Sequence, residues 1–282
     1  MKYQHIYHAG NFADIAKHVA LIYCLEALKR KESAFFVLDT HAGRGFYDLQ
    51  AAEAVKTQEA ERGIQKLITH ALAQDALHDY FVALKARRGK RLARYPGSPA
   101  LIAAALRPQD RAVLTELIAS EARSLERELE SAGRLMPQVG DGYQMLKSQL
   151  PPAERRGLVL IDPAYESIEE FKHLLQGFAE AYRRWPTGTY LLWYPIRSAA
   201  QRTLVHERFA ALKVPKMLAC ELALFNDDAA IGMAGSGLLI VNPPFGIDAH
   251  LTAAYRAVHA ALAEGGAGYV EVTRLTPERV AQ

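Results

Sequence analysis

Two tetrapeptides in this chain carry the parts needed to hold an amine for alkylation: Asp162-Pro163-Ala164-Tyr165 and Asn242-Pro243-Pro244-Phe245. Both approach the pattern of Asp, Asn or Ser, then two prolines, then an aromatic residue. The lone pair of an exocyclic amine on a nucleobase is delocalised into the ring, so methylating that nitrogen requires holding it in line with the methyl donor. A carboxylate or carboxamide and a backbone carbonyl, both accepting from the NH2 group, supply that hold. An aromatic ring stacks on the extruded base. Asp162, Pro163 and Tyr165 are the candidate catalytic residues, with Pro163 contributing its carbonyl. Ala164 departs from the pattern: losing that proline frees one backbone φ, which should loosen the loop without removing an acceptor or the ring.

The choice between the two strings rests on the elements that carry them. Gly157-Leu158-Val159-Leu160-Ile161 is a fully apolar strand that ends at Asp162. It is expected to be the fourth strand of an open sheet, lying beside the first, Ala34–Leu38, across the switch point where such sheets bind ligands. Asn242 follows Gly237–Val241, read as the last strand on an antiparallel edge whose carboxyl end points away from the ligand. Asn242-Pro243-Pro244 is therefore expected to be a structural strand terminator.

Elsewhere, apolar strands alternate with amphipathic helices, which implies a mostly parallel sheet covered on both faces. Asn11 should cap a helix running to Arg30, and Ser98 before Pro99 reads as the N-cap of the helix Ala100–Leu106. Residues 119–131, 168–184 and 248–263 read as further helices. The fold class expected is α/β: a Rossmann-like, seven-stranded, mostly parallel sheet formed by 1–47 and 95–282. Residues 48–94, polar and alanine-rich, read as a helical insertion between the first two strands.

The first strand runs into Asp39-Thr40-His41-Ala42-Gly43-Arg44-Gly45. An acid followed by a glycine-rich turn is where an open α/β sheet takes an adenosine-bearing ligand. Position 48 is Asp48, where a dinucleotide fingerprint wants glycine, and no phosphate-cradling GxxxxGK[ST] string occurs. A loop with Gly43 and Gly45 and no phosphate logic suits S-adenosylmethionine, although a plain turn needing glycine fits as well. A ribose acceptor is expected about 20 residues beyond the loop. Glu116 lies 73 residues past Gly43, but without the 47 residues of 48–94 the spacing becomes 26. That correction favours Glu116 on the ribose and Asp141 near the adenine; the alternative is that both acids are solvated strand terminators.

Composition narrows the class. Of 282 residues, 50% are hydrophobic and 23% charged, with 34 basic against 31 acidic side chains, which is too apolar and too balanced for disorder. No run approaches the roughly 18 apolar residues of a membrane span, and the N-terminus begins no secretory segment. Cys24 and Cys220 sit among apolar neighbours and read as buried reduced thiols. A cytoplasmic, monomeric, membrane-free protein is expected. His5 and His8 lack a carboxylate or cysteine partner at ligand spacing, so no metal is expected.

The net charge of +3 says little, but its distribution says more. Lys85, Arg87, Arg88, Lys90, Arg91 and Arg94 gather at the end of the insertion. Such a run is usually a solvated helix face; beside a base-modifying site, phosphate contact is the better reading.

These strings, together with His8-Ala9-Gly10-Asn11-Phe12-Ala13-Asp14-Ile15-Ala16-Lys17-His18, closely resemble the RlmJ family of bacterial 23S ribosomal RNA methyltransferases. The likeness runs nearly end to end, through Leu38–Gly43, Tyr95-Pro96-Gly97-Ser98-Pro99, Leu114-Thr115-Glu116-Leu117, Arg155–Leu158 and Leu192-Trp193-Tyr194-Pro195. The resemblance implies a class I methyltransferase fold with a small helical subdomain. It also implies methylation of adenine N6 (adenine 2030) from S-adenosylmethionine, leaving S-adenosylhomocysteine. Carried over by motif, cofactor contacts fall on His18, His41, Ser98, Glu116, Asp141 and Gly142, with Asp162 at the reaction centre. Tyr3, His5 and Lys17 fall near the target-base pocket. Plainer readings have Ser98 only capping its helix and His18 only pairing with Asp14. The partner expected is 23S rRNA, free or in an early assembly intermediate. The rival functions are a DNA adenine-N6 methyltransferase, an enzyme using Asn242 as the amine acceptor, and a non-catalytic RNA-binding module. Whether Asp162 removes a proton or only accepts and positions stays open at this level, because the amine becomes strongly acidic only after methyl transfer.

Overall fold

The computed structural model describes residues 3–71, 73–85, 90–129, 134–167, 169–227, 229 and 232–278. Ten strands occur among them: β1 (Phe36–Asp39), β2 (Phe46–Asp48), β3 (Arg94–Pro96), β4 (Arg111–Glu116), β5 (Leu135–Val139), β6 (Gly157–Ile161), β7 (Thr189–Ile196), β8 (Met217–Ala223), β9 (Gly235–Val241) and β10 (Tyr269–Arg274). The helices are α1 (Phe12–Lys29), α2 (Ala52–Thr57), α3 (Lys66–Thr69), α4 (Ala73–Ala76), α5 (His78–Ala83), α6 (Ser98–Ala105), α7 (Ala119–Glu128), α8 (Gly142–Gln149), α9 (Glu169–Arg184), α10 (Ala199–Ala210) and α11 (Ile247–Leu262). None of them is long and apolar enough to cross a membrane.

The main sheet runs β10-β8-β9-β7-β6-β1-β4-β5. β1 pairs in parallel with both β4 and β6, so the strand order reverses at its two flanks. Asp39 is in register with Leu114 on one side and Leu160 on the other. The period-2 rule divides the core into two layers. Val37, Leu114 and Leu160 join α1, α6 and α11 on one face, while Leu38, Val113 and Ile161 join α9 and α10 on the other. Strands buried on both faces read as uninterrupted apolar runs, which is why β1 and β6 were visible in the sequence.

The sheet has eight strands where seven were expected. The addition is β10, which pairs antiparallel with β8 and closes the edge. β9 is consequently neither last nor at an edge: it lies between β7 and β8, antiparallel to both. α1 begins as expected, with the Asn11 side chain accepting from Asp14 N at 2.9 Å.

The chain leaves the main sheet after β1, and β2 and β3 form a separate antiparallel ribbon with Asp48 opposite Arg94. Between them, Ile64, Leu67, Leu77, Tyr80 and Leu84 belong to the same apolar cluster as α1 and α11. Contact with α1 is closest at Gly63, whose backbone leaves helical geometry (φ −98°, ψ −109°). Ile64 N donates to Gly10 O at 2.9 Å. A Cβ on Gly63 would meet that same carbonyl oxygen and lie 3.0 Å from Asn11 Cα. Gly63→Ala is therefore expected to destabilise the protein by about 1–3 kcal/mol through overpacking, seen in calorimetry as a Tm lower by roughly 2–10 °C. An unchanged Tm would show that the two backbones can part without cost.

Candidate active site

A cavity of about 1580 Å³ opens over the carboxyl ends of β1, β4, β6 and β7. Its first half is built on the exits of β1 and β4. Gly43 adopts φ +66°, and a Cβ there would collide with the Tyr47 hydroxyl. Gly43 N donates to Glu116 Oε2 at 2.9 Å, and Ile118 N donates to Oε1 at 2.7 Å. Each Glu116 oxygen keeps a further lone pair for an incoming hydroxyl. Burial raises the Glu116 pKa, and those two backbone N–H groups oppose the rise. Asp141 caps α8, accepting from Tyr143 N at 2.8 Å. Gly142 lets the start of α8 lie against Thr40, since a Cβ there would sit 2.7 Å from Thr40 Cβ. His41 bonds Thr40 Oγ1 at 2.8 Å and faces Tyr143 edge-on, and burial lowers its pKa.

Two of the plainer readings fail here. Gly97, not Ser98, caps α6; Ser98 is the first residue of the helix, and its hydroxyl donates to Asp39 Oδ2 at 2.7 Å. A tertiary acceptor has claimed the hydroxyl that would otherwise have capped the helix. His18 does not bond Asp14: its Nδ1 meets the Tyr95 hydroxyl at 2.9 Å, and Tyr95 in turn meets Tyr80 at 2.8 Å. Burial pushes the His18 pKa down to about 3, so the ring is neutral.

The second half surrounds Asp162. Lys17 Nζ is paired with Asp162 Oδ2 and lies 3.1 Å from Asp14 Oδ1. Asp14 Oδ2 also accepts from Gly10 N at 3.0 Å and meets His5 Nε2 at 3.0 Å, while His5 Nδ1 meets the Tyr3 hydroxyl at 2.8 Å. Burial would lower the Lys17 pKa, but the charges of Asp162 and Asp14 raise it. Tyr165 takes a left-handed φ of +41°, unfavourable for a bulky residue. Its hydroxyl donates to the Trp193 carbonyl at 2.8 Å, and its ring meets the Trp193 ring edge-on. This anchor, in a loop lacking the second proline, holds the ring at the cavity wall.

Tyr3, His5, Lys17, Asp162, Pro163 and Tyr165 thus share one cavity with His18, His41, Gly43, Ser98, Glu116, Asp141 and Gly142. None of the described members of the basic run lines it. Lys85 and Lys90 are exposed, Arg91 pairs with Glu61, and Arg94 pairs with Glu128 at 2.7 Å while lying over the Phe46 ring. Arg87 and Arg88 lie outside the described residues. His5 and His8 bond carboxylates, Asp14 and Glu59 respectively. Asn242 is at the opposite end of the sheet: its side-chain amide donates to the carbonyls of Pro186 and Gly188, both at 2.8 Å, just before β7 begins.

Sequence reasoning passed over three residues. Asp39 ends β1 directly before the glycine turn, a position that itself was the signal. Asp14 sits three residues before Lys17 on one helix face. Trp193 and its neighbours had served only as a string.

The family model described as "Ribosomal RNA large subunit methyltransferase D, RlmJ" matches residues 32–276. The chain is 37% identical to ribosomal RNA large subunit methyltransferase J of Escherichia coli (strain K12) over 280 residues, covering 99% of this chain and 100% of the relative. It is 38% identical over the same length to the Haemophilus influenzae protein of that name, with the same coverage. A Legionella pneumophila protein of known crystal structure superposes with a TM-score of 0.83 at 32% identity, covering 95% of this chain and 98% of that one. A probable spermidine synthase from Corynebacterium glutamicum matches at TM-score 0.50 and 14% identity, over 95% and 76% of the two chains, a likeness of fold alone. The fold is α/β: a mixed eight-stranded sheet with a parallel core and an antiparallel flank.

Asp39 is fully buried, and burial, with the nearby charge of Asp162, pushes its pKa up to about 7 against the opposing Ser98 bond. A carboxyl raised on folding stabilises fully below its unfolded pKa, near 4, and loses that contribution as pH rises through about 7. Asp39→Asn should remove this dependence. The Tm difference between wild type and Asp39→Asn is expected to favour wild type more at pH 5 than at pH 8. A difference constant across that range would refute the assignment.

Proposed function

The chain belongs to the RlmJ family of ribosomal RNA large subunit methyltransferases, and we propose that it methylates N6 of an adenine in 23S rRNA, adenine 2030 by the family resemblance. The observation that carries this reading is the placement of Asp162-Pro163-Ala164-Tyr165 at the carboxyl end of β6, in the same cavity as Gly43 and Glu116. S-adenosylmethionine, when bound, supplies a methyl group already activated on a sulfonium and departs as S-adenosylhomocysteine. The residues fit that group: a half-buried carboxylate at the end of β4 with acceptor capacity left over, and a left-handed glycine where a Cβ would collide with the Tyr47 hydroxyl. Glu116 would accept from the ribose hydroxyls, and Asp141 and Gly142 would border the adenine. His18, His41 and Ser98 line the rest of the cofactor half.

Asp162 accepts from the N6–H of the target and stabilises positive charge developing on nitrogen. Lys17 engages its Oδ2, leaving Oδ1 for the amine. The Pro163 carbonyl is the second acceptor, and Tyr165 offers the stacking face. Tyr3, His5 and Lys17 close the side of the base pocket formed by the N-terminal segment, shielding the reacting pair from water. Outside the cavity, Lys85, Lys90, Arg91 and Arg94, with Arg87 and Arg88, contact RNA phosphates; the surface ion pairs of Arg91 and Arg94 are weak enough to exchange for phosphate. Residues 48–94 act as the RNA-facing helical subdomain of a cytoplasmic, monomeric enzyme that takes free 23S rRNA or an early assembly intermediate.

Labelled S-adenosylmethionine incubated with protein-free 23S rRNA or with DNA, followed by digestion to nucleosides, tests this. N6-methyladenosine from the RNA is expected; label in DNA, or in another nucleoside, overturns it. Asp162→Ala should lower kcat by about 10²–10³-fold, the cost of losing a preorganised electrostatic partner, and a near-normal rate would remove Asp162 from the reaction centre. The double variant Lys85→Glu/Lys90→Glu should weaken RNA binding and flatten its salt dependence by about 0.7–0.9 in log–log slope per lost phosphate contact. Unchanged affinity and slope would end the phosphate role of those lysines.

A further inference from the structure

The acid that pairs with the amine has a compensating partner one helical turn from Lys17. A lone Lys17–Asp162 pair is neutral overall, and a neutral pair attracts a developing cation weakly. Asp14 alters that balance. Its carboxylate is 2% exposed, and Lys17 is 6% exposed, so the three charges interact with little solvent between them. The triad of Asp14, Lys17 and Asp162, two carboxylates on one ammonium, carries a net charge of −1 between α1 and the exit of β6, where the target amine would become positive.

We propose that Asp14 is a positioning residue for methyl transfer, offsetting the Lys17 ammonium so that Asp162 presents its full charge to the target amine. This rests on the functional reading above. The geometry serves the role in three ways. Asp14 Oδ1 takes Lys17, while Oδ2 takes Gly10 N and His5 Nε2, so each oxygen has its own task. Asn11 Oδ1 accepts from Asp14 N at 2.9 Å, fixing the backbone from which the carboxylate projects. His5 in turn meets the Tyr3 hydroxyl, so the oxygen of Asp14 that does not face Lys17 is fixed by its own partners. Against burial, the hydrogen bond to His5 and the charge of Lys17 hold the Asp14 pKa well below the usual carboxylate range.

If Asp14 acts through Lys17, its effect must vanish when Lys17 is gone. The test is a double-mutant cycle of Asp14→Asn and Lys17→Met, read as single-turnover rates on 23S rRNA with S-adenosylmethionine affinity measured by calorimetry. Asp14→Asn alone should slow transfer by about 10- to 100-fold, with cofactor Kd changed less than about threefold. The double variant should be no slower than Lys17→Met alone. Equal multiplicative losses in both backgrounds would make Asp14 an ordinary structural residue and overturn the proposal. The comparison of Lys17→Met with the double variant does not need Asp14→Asn alone to fold: in the double variant the carboxylate left without its ammonium is Asp162, which is part-exposed at the cavity. The two readings fail separately: label in a nucleoside other than N6-methyladenosine overturns the functional reading, while the cycle, scored on whatever nucleoside is labelled, still decides the role of Asp14.

Discussion

A buried ammonium group must be met by charge, and Lys17 is met from two directions. Asp14 lies on its own helix and Asp162 on the loop leaving β6. Stripping one partner from such a group costs several kcal/mol, so the position of α1 relative to β6 is narrowly set. The rest of the site follows from that contact. With α1 held against the exit of β6, the segment before it crosses the cavity, and Tyr3 N donates to Glu166 on the far side of the loop. The insertion contributes from behind: its Gly63 backbone lies on Gly10, whose N–H is itself bonded to Asp14.

Strand polarity decides which of two similar tetrapeptides can do chemistry. β6 and β9 are both fully buried apolar strands that end in an acid or amide followed by proline. β6 runs parallel to β1 and delivers Asp162 to the ligand side. β9 runs antiparallel to β7, so Asn242 arrives where β7 begins, and its amide is consumed by two backbone carbonyls. The better match to the pattern is therefore the structural one. A short motif has meaning only with a direction attached.

Much of this architecture was legible because burial on both faces leaves a plain signature. β1, β6 and the wide apolar face of α1 declared themselves. What stayed hidden depended on partners distant in sequence. β10 is half-exposed, and the alternating residues of Tyr269–Arg274 follow a glycine-rich turn, so they carry little apolar signal. α10, Ala199–Ala210, buries only Val205 and Phe209 and shows little helical periodicity. Ser98 looked like a cap because the Asp39 that takes its hydroxyl is 59 residues away. The basic run was obvious as charge, yet Glu61 and Glu128, which engage Arg91 and Arg94, were not predictable from local sequence.

Asp39 and Asp162 end neighbouring parallel strands, and each raises the question of where its charge goes. Asp39 has a hydroxyl and a backbone N–H for partners, and burial beside Asp162 pushes it up to about 7. Asp162 has an ammonium in direct contact. The nearby charge of Asp162 adds to the rise on Asp39, while the charge of Lys17 works the other way. Lys17 therefore serves both strand exits: it pairs directly with the acid after β6 and partly offsets the burial of the acid that ends β1. A single lysine on α1 couples the two acids, which is why the helix, and not the sheet alone, sets the electrostatics of the cavity.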